Sequence, residues 1–150
     1  MLRPSPPKPK RVKLSKNKPT SEIFAICDYA MVDREGKMSI VGIFREMYAD
    51  KIPSYIHHFY VAASIVGTPE TAYDITVNFT SPNGKPTIRP QEVTVQIGLG
   101  GLTNLVTDII NLPLESTGQY TITLTTNDGH IVGKSYFRVI DLKTPQPSVN

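Results

Sequence analysis

Three histidines and a single cysteine are the side chains of this 150-residue sequence best suited to metal binding or nucleophilic attack. His57 and His58 are adjacent, and in an extended segment adjacent side chains point to opposite faces, so the two cannot easily hold one ion. His130 lies far along the chain, and the paired close spacings typical of a zinc site are absent. The sequence therefore predicts neither a metal site nor a cofactor.

Cys27 is the best candidate for a nucleophile, because a histidine could activate its thiol. It lies in the apolar run IFAICDYAMV, where an unpaired cysteine more often behaves as a small buried hydrophobe. There is no Gly-x-Ser-x-Gly motif, and GLGG (98–101) lacks the third glycine or Lys-Ser/Thr of a phosphate-binding loop. We therefore predict that the protein is not an enzyme. Convergence of Cys27, Asp28 and a histidine in one pocket would favour an enzyme again.

Basic residues are concentrated at the start of the chain. Seven of the 16 Lys and Arg residues lie in residues 1–20, and no Asp or Glu occurs before Glu22. The rest of the chain carries nine basic and 13 acidic residues, a net charge of −4. Weak, non-specific binding to a polyanion is therefore expected only through the tail. Its candidate contacts are Arg3, Lys8, Lys10, Arg11, Lys13, Lys16 and Lys18.

Three roles for this tail stay open. Lys10, Arg11 and Lys13 resemble a nuclear import signal of the Lys-Arg-x-Lys type, a pattern with many false positives. The seven cations could instead adhere to nucleic acid without reading its sequence, or to anionic lipid, although no apolar anchor accompanies them. The third role is that of a solubilising leader on a folded domain.

The elements that would position all these residues are short strands. Apolar or alternating runs cover residues 23–32, 38–49, 58–67, 72–80, 92–98, 120–126 and 130–140, and turn residues such as Asn83-Gly84 and Asp128-Gly129 separate them. This spacing predicts an all-β fold: a two-sheet antiparallel β-sandwich of Ig-like or Greek-key type with about seven to nine strands. Residues 102–112 stay open between strand and helix, and their β-branched residues favour an extended segment.

The composition also predicts the domain organisation. Residues 1–21 hold five of the 13 prolines and few apolar residues, which predicts a disordered tail. We expect the β-sandwich at residues 22–143 and a short flexible C-terminus at 144–150. The sequence has no transmembrane segment, no secretory signal and no second cysteine for a disulfide, which together predict a cytoplasmic location.

STGQY (116–120) precedes an alternating strand. A Gly-x-Tyr in this position is typical of the tyrosine corner, in which the phenol bonds back to the backbone at a sheet corner. We expect Tyr120 to be structural, either in such a corner or as an ordinary core aromatic.

The segment ICDYAMVDREGKMSIVGIF (26–44) is the most specific motif. It carries Cys27, Asp28 and Ala30, then a short turn, then Gly36, Lys37, Ser39, Ile40, Gly42, Ile43 and Phe44. This pattern resembles the start of a family of uncharacterised bacterial proteins, a domain of unknown function, and the likeness covers residues 23–140. The resemblance implies a compact β-sandwich of bacterial, cytoplasmic origin, and it brings no known activity, ligand or catalytic residue.

Within this motif the residues indicate fold more than chemistry. Gly36 fits the turn after the first strand, and Gly42 fits a bulge or a close backbone approach. Asp28 is an acid inside an apolar strand, so we expect an edge position or a bond to backbone amides or to Lys37. A functional contact of Asp28 is the alternative.

These observations predict a non-enzymatic binding or assembly module that presents a sheet face or a strand edge to another protein. The alternative is an adaptor held on nucleic acid or an anionic surface by the basic tail. Carbohydrate binding is less favoured because the sequence has no tryptophan, which leaves Tyr48, Tyr55 and Tyr60 as candidate surface aromatics.

Overall fold

A computed structural model describes residues 3–6 and 18–142, and these residues contain nine β-strands and no helix. The all-β prediction is therefore confirmed. The strands are β1 (Thr20–Val32), β2 (Met38–Ile43), β3 (Glu46–Ala49), β4 (Ser54–Val66), β5 (Ala72–Thr80), β6 (Gln91–Gln96), β7 (Leu102–Leu114), β8 (Gly118–Thr126) and β9 (Ile131–Asp141).

The strands form two sheets. The four-stranded sheet has the order β2-β1-β4-β7 and is antiparallel throughout. The five-stranded sheet has the order β3-β9-β8-β5-β6, and its β3–β9 pair is parallel. The prediction of antiparallel sheets is therefore wrong for this one pair, because β3 enters the second sheet directly from the first.

Side chains from both sheets share one apolar core. In β5 the alternation predicted from the sequence places Ile75, Val77 and Phe79 in that core. Phe59 of β4 and Phe137 of β9 meet at its centre, with ring centroids 6.1 Å apart. The two sheets are therefore held together by apolar packing between their facing sides.

The run at residues 38–49, which the sequence predicted as one segment, is divided between the two sheets. The Phe44 amide donates a hydrogen bond to the Ile26 carbonyl in the four-stranded sheet. One residue later, the Arg45 carbonyl accepts a hydrogen bond of 2.7 Å from the Arg138 amide in the five-stranded sheet. The chain thus passes from one sheet to the other between Phe44 and Arg45, and β2 and β3 become separate strands.

The segment whose spacing suggested a helix is the long strand β7. It pairs with β4 from Leu102 to Leu114, so nearly every residue has a partner across the ladder. Pro113 lies within it, which is tolerated because β7 is an edge strand. Long-range pairing has overridden the local helical spacing.

Tyr120 is buried at the start of β8. Its hydroxyl donates a 2.7 Å hydrogen bond to the Ser116 carbonyl and accepts one from the Ser116 amide. Its ring stacks on Phe137 with centroids 5.4 Å apart. One side chain therefore fixes the turn before β8 and fills part of the core.

We expect Tyr120→Phe to lower the free energy of unfolding by about 1–2 kcal/mol, because the stacking stays while Ser116 loses its partner. Tyr120→Ala should cost roughly 3–5 kcal/mol, because it also leaves a cavity. Urea denaturation measures both values. Equal stability of the wild type and Tyr120→Phe would contradict a structural role of the hydroxyl.

Candidate functional site

β1 pairs with the central strand β4 only in its first half. It pairs with β4 from Thr20 to Cys27 and with β2 from Cys27 to Val32. Residues 28–43, which we call the β1–β2 hairpin, therefore make no ladder with β4. The Gly36 carbonyl at the turn of the hairpin accepts a 2.8 Å hydrogen bond from the Asn104 side chain on β7. Because β4 lies between β1 and β7, the hairpin must cross over β4 to make this bond.

The hairpin covers the outer face of the sheet with apolar side chains. Cys27 and Ala62 point away from the main core, yet they are fully buried. Ala30, Met38 and Ile40 of the hairpin pack against them and form a second, small core. The outer face is therefore partly closed by the chain itself.

A pair of side-chain hydrogen bonds holds the hairpin in place. The buried Ser64 hydroxyl donates to Asn104 Oδ1 at 2.6 Å, and Asn104 Nδ2 donates to the Gly36 carbonyl at 2.8 Å. The Asn104 amide thus uses both of its ends to join β4, β7 and the hairpin turn. Without Asn104, the buried Ser64 hydroxyl would lose this acceptor. The contact therefore depends on the type of residue at position 104.

Gly42 and Asp28 lie opposite each other where the hairpin departs from the sheet. Gly42 has a φ of +70°, which favours glycine, and a Cβ at this position would lie 2.9 Å from Asp28 Cγ. The predicted close approach at Gly42 is therefore present, but the neighbour is a carboxylate rather than backbone. No larger residue fits without moving Asp28.

A bond to Lys37 is one of the three alternatives expected for Asp28, and the Lys37 ammonium instead contacts another carboxylate. Lys37 lies at the hairpin turn, where its ammonium is 2.6 Å from Glu35. The amides of Lys37 and Glu35 both donate to the Asp33 side chain, which fixes this turn together with Gly36 at a φ of +82°. Asp28 itself is exposed and lies just after the last residue of β1 that pairs with β4.

The Cys27 thiol makes no hydrogen bond to Asp28 or to a histidine. The Cys27 thiol is buried and donates a weak hydrogen bond to the Tyr60 carbonyl at 3.7 Å. Burial raises the pKa of this thiol, which keeps it protonated and poorly nucleophilic. Asp28 and His57 are exposed, and His130 donates from Nε2 to the Pro19 carbonyl at 2.8 Å.

An exposed cluster lies beside the hairpin on the same sheet. His58 Nε2 is 3.5 Å from Asp108 Oδ2, and the His58 ring lies 4.9 Å from the Tyr60 ring. Tyr60 in turn packs edge-on against Tyr29 at 5.2 Å. Tyr29 pairs with Val41 of β2, and His58 pairs with Ile110 of β7.

We call Tyr29, Val41, Tyr60 and Ile110 the apolar surface. Val41 is 58% exposed and Ile110 is 61% exposed, although both are aliphatic. Tyr29, Val41 and Ile110 could not be found from the sequence, because alternation alone does not say which face of a strand is covered. Of the candidate surface aromatics, Tyr48 and Tyr55 are exposed, whereas Tyr60 is half-buried.

A cavity of about 420 Å³ lies beside the residues that precede β1. Lys18 and Pro19 line it together with Asp74 and Asp128. Hydrogen bonds from the Thr126 hydroxyl and the His130 amide lower the pKa of Asp128. The tail therefore meets the domain beside acidic groups.

Two of the predicted polyanion contacts, Arg3 and Lys18, are within the described residues, and both are exposed. The others, Lys8, Lys10, Arg11, Lys13 and Lys16, lie outside the described residues. β1 begins at Thr20, whereas the predicted tail ends at residue 21.

Among residues 3–6 and 18–142, no group of three or more His, Cys, Asp or Glu side chains could hold a metal ion. No helix in this part of the chain could span a membrane.

Comparison with known proteins gives a family but no activity. A family model described as a family of unknown function (DUF6941) matches residues 22–140. No curated protein matches the chain.

Solved structures show only distant likeness. A Pseudomonas fluorescens alkylpurine DNA glycosylase, AlkC, bound to DNA with an abasic site analogue has 10% identity and a TM-score of 0.40. The match covers 77% of this chain and 30% of that one. A Listeria innocua β-glucosidase in complex with glucose has 12% identity and a TM-score of 0.44, and the match covers 79% of this chain and 16% of the glucosidase. The chain thus spans less than a third of either protein.

We expect Asn104→Ala to lower the free energy of unfolding by about 1–3 kcal/mol, because it leaves the buried Ser64 hydroxyl without its acceptor. Asn104→Asp keeps an acceptor for Ser64 and loses only the donor to Gly36. Both changes should speed amide hydrogen exchange at residues 30–40, measured by mass spectrometry. Asn127→Ala removes an exposed asparagine bonded to Asp74 and serves as the control. Equal exchange in all three variants would contradict the role of Asn104.

We also expect the Cys27 thiol to react slowly with a disulfide reagent at pH 8, because it is buried and protonated. Asn104→Asp should accelerate the reaction by loosening the hairpin over Cys27. Thiol labelling followed by absorbance measures both rates. Labelling of the wild type as fast as the urea-unfolded chain would show that Cys27 is accessible after all.

Proposed function

This chain belongs to the DUF6941 family of unknown function, and from that premise we propose that it is a non-enzymatic module that binds another protein. The binding region is the apolar surface together with the neighbouring edge strand β2. We further propose that the two sheets are a β-sandwich of Ig-like type and that the protein acts in the cytoplasm. The shared core and the Tyr120 bond support the first point, and the single free cysteine supports the second.

One observation carries this proposal: aliphatic and aromatic side chains are exposed next to an open sheet edge. Val41 lies on β2, the outermost strand of the four-stranded sheet, and Tyr29 lies directly opposite it. From Tyr29 the apolar surface continues through Tyr60 towards Ile110. Exposed apolar groups of this kind mark interaction sites, and an open edge offers backbone hydrogen bonds to an incoming strand.

The chemistry of the same region supports binding over catalysis. Cys27 is buried and protonated beneath the hairpin. The His58–Asp108 pair is half exposed on an open sheet face, where water screens its charges. Such a pair can hydrogen-bond a partner, and it lacks the dry surroundings that strengthen catalytic electrostatics.

We expect Tyr29→Lys and Ile110→Lys each to abolish capture of the partner from native lysate, because each places a charge within an apolar contact. Ile131→Lys is the matched control, since Ile131 is 54% exposed and belongs to the five-stranded sheet. Immobilised protein and mass spectrometry of the bound fraction measure the capture. Loss of the partner in the control as well, or in none of the variants, would contradict binding through the apolar surface.

The second candidate is an adaptor whose basic tail adheres to nucleic acid or an anionic surface. The segregation of seven cations before residue 20 favours it. Deletion of residues 1–17 keeps Pro19, whose carbonyl accepts the His130 bond, so the domain should stay folded. If the adaptor hypothesis holds, this deletion abolishes salt-dependent retention on heparin and DNA. Unchanged retention would contradict it.

A further inference from the structure

We infer that β2 binds β2 of a second copy of this chain, antiparallel, about a two-fold axis beside Ile40. The two four-stranded sheets would then continue into one sheet across the pair. This inference rests on the proposed function, because it names the protein partner of the same region.

β2 is the least protected edge strand of the described sheets. Natural edge strands avoid pairing by charged residues, proline, shortness or cover from other elements. β2 has the sequence MSIVGI, with no charge and no proline. The other edges are guarded: β7 contains Asp108 and Pro113, β6 contains Glu92, and β3 is only four residues long and begins at Glu46.

The backbone N–H and C=O groups of β2 point alternately towards β1 and towards the open side. The Asp33 amide donates to the Lys37 carbonyl where the hairpin closes. In an antiparallel ladder, residues that bond the neighbouring strand alternate with residues that do not. Ser39 and Val41 therefore bond β1, and the N–H and C=O groups of Met38 and Ile40 point to the open side. These groups can be satisfied by another extended strand.

β2 is also complementary to a second copy of itself. Antiparallel pairing of two identical strands closes after two copies, and each residue meets its symmetric counterpart. Charged residues flank both ends of β2, with Glu35 and Lys37 before it and Arg45 and Glu46 after it. Each end thus carries both signs, and joining opposite ends creates no excess of like charge.

The pairing also places exposed side chains together. With the axis beside Ile40, Ser39 of one copy lies opposite Val41 of the other, and this contact occurs twice. Val41 in turn pairs with Tyr29 in its own chain, so the apolar surfaces of the two copies adjoin. A second copy therefore covers both the open backbone and the aliphatic residue beside it.

Sedimentation velocity of the full chain over a range of concentrations tests this inference. We expect the wild type to form a dimer that dissociates on dilution. Ser39→Lys with Val41→Lys should abolish the dimer, because it brings ammonium groups together at both symmetric contacts. Ser39→Lys with Val41→Glu should retain it, because each contact then joins opposite charges. Both positions are exposed, and circular dichroism checks that the variants are folded.

Ile131→Lys is again the control and should leave the dimer unchanged. A wild type that stays monomeric at its highest soluble concentration overturns the inference, as does a dimer that survives the double lysine change. The proposed function fails separately. If the wild type is monomeric but the double lysine variant loses a protein captured from lysate, β2 binds a different partner and only this inference is wrong.

Discussion

The pairing of β1 imposes the constraint on which the rest of this region depends. A strand of thirteen residues cannot stay beside β4 along its whole length and also support a hairpin that reaches β7. The conflict is resolved at Asp28 and Gly42, where pairing with β4 has ended and a positive φ turns β2. The hairpin can then cross the sheet, bury Cys27 and leave β2 without a second neighbouring strand among the described residues.

Asn104 fixes the position of the hairpin on the sheet. Apolar packing of Met38 and Ile40 against Ala62 would hold a hairpin loosely, since dispersion contacts have little directional preference. The two hydrogen bonds of the Asn104 amide add direction, because they fix the turn at one point on β7. Directional bonds and apolar packing together keep the same side of β2 covered and the same edge open.

The sequence predicted those strands that are determined by the pattern of their own residues. β5 alternates apolar and polar residues because one of its faces is in the core, and periodicity reports that directly. The division between β2 and β3 could not be predicted, because Phe44 and Arg45 lack turn signals and are placed by hydrogen bonds to Ile26 and Arg138, which are distant in sequence. The same contrast between local and distant determinants applies to the candidate site. The inert character of Cys27 could be predicted from its apolar neighbours, whereas the exposure of Val41 depends on a hairpin that crosses the sheet.

The bond between His130 and the Pro19 carbonyl determines where the basic segment joins the domain. That point is at the start of β1, and the stretch of β1 between Thr20 and Cys27 separates it from the base of the hairpin by roughly 20 Å, at the usual rise of a strand. The basic segment thus joins the domain at the first residue of β1, whereas β2 pairs with the last residues of the same strand. A symmetric pair joined at β2 would carry two such segments on one body, and the second would bind a polyanion at a raised effective concentration once the first had attached. Two segments that each bind the polyanion weakly would then hold the pair more tightly than one segment could.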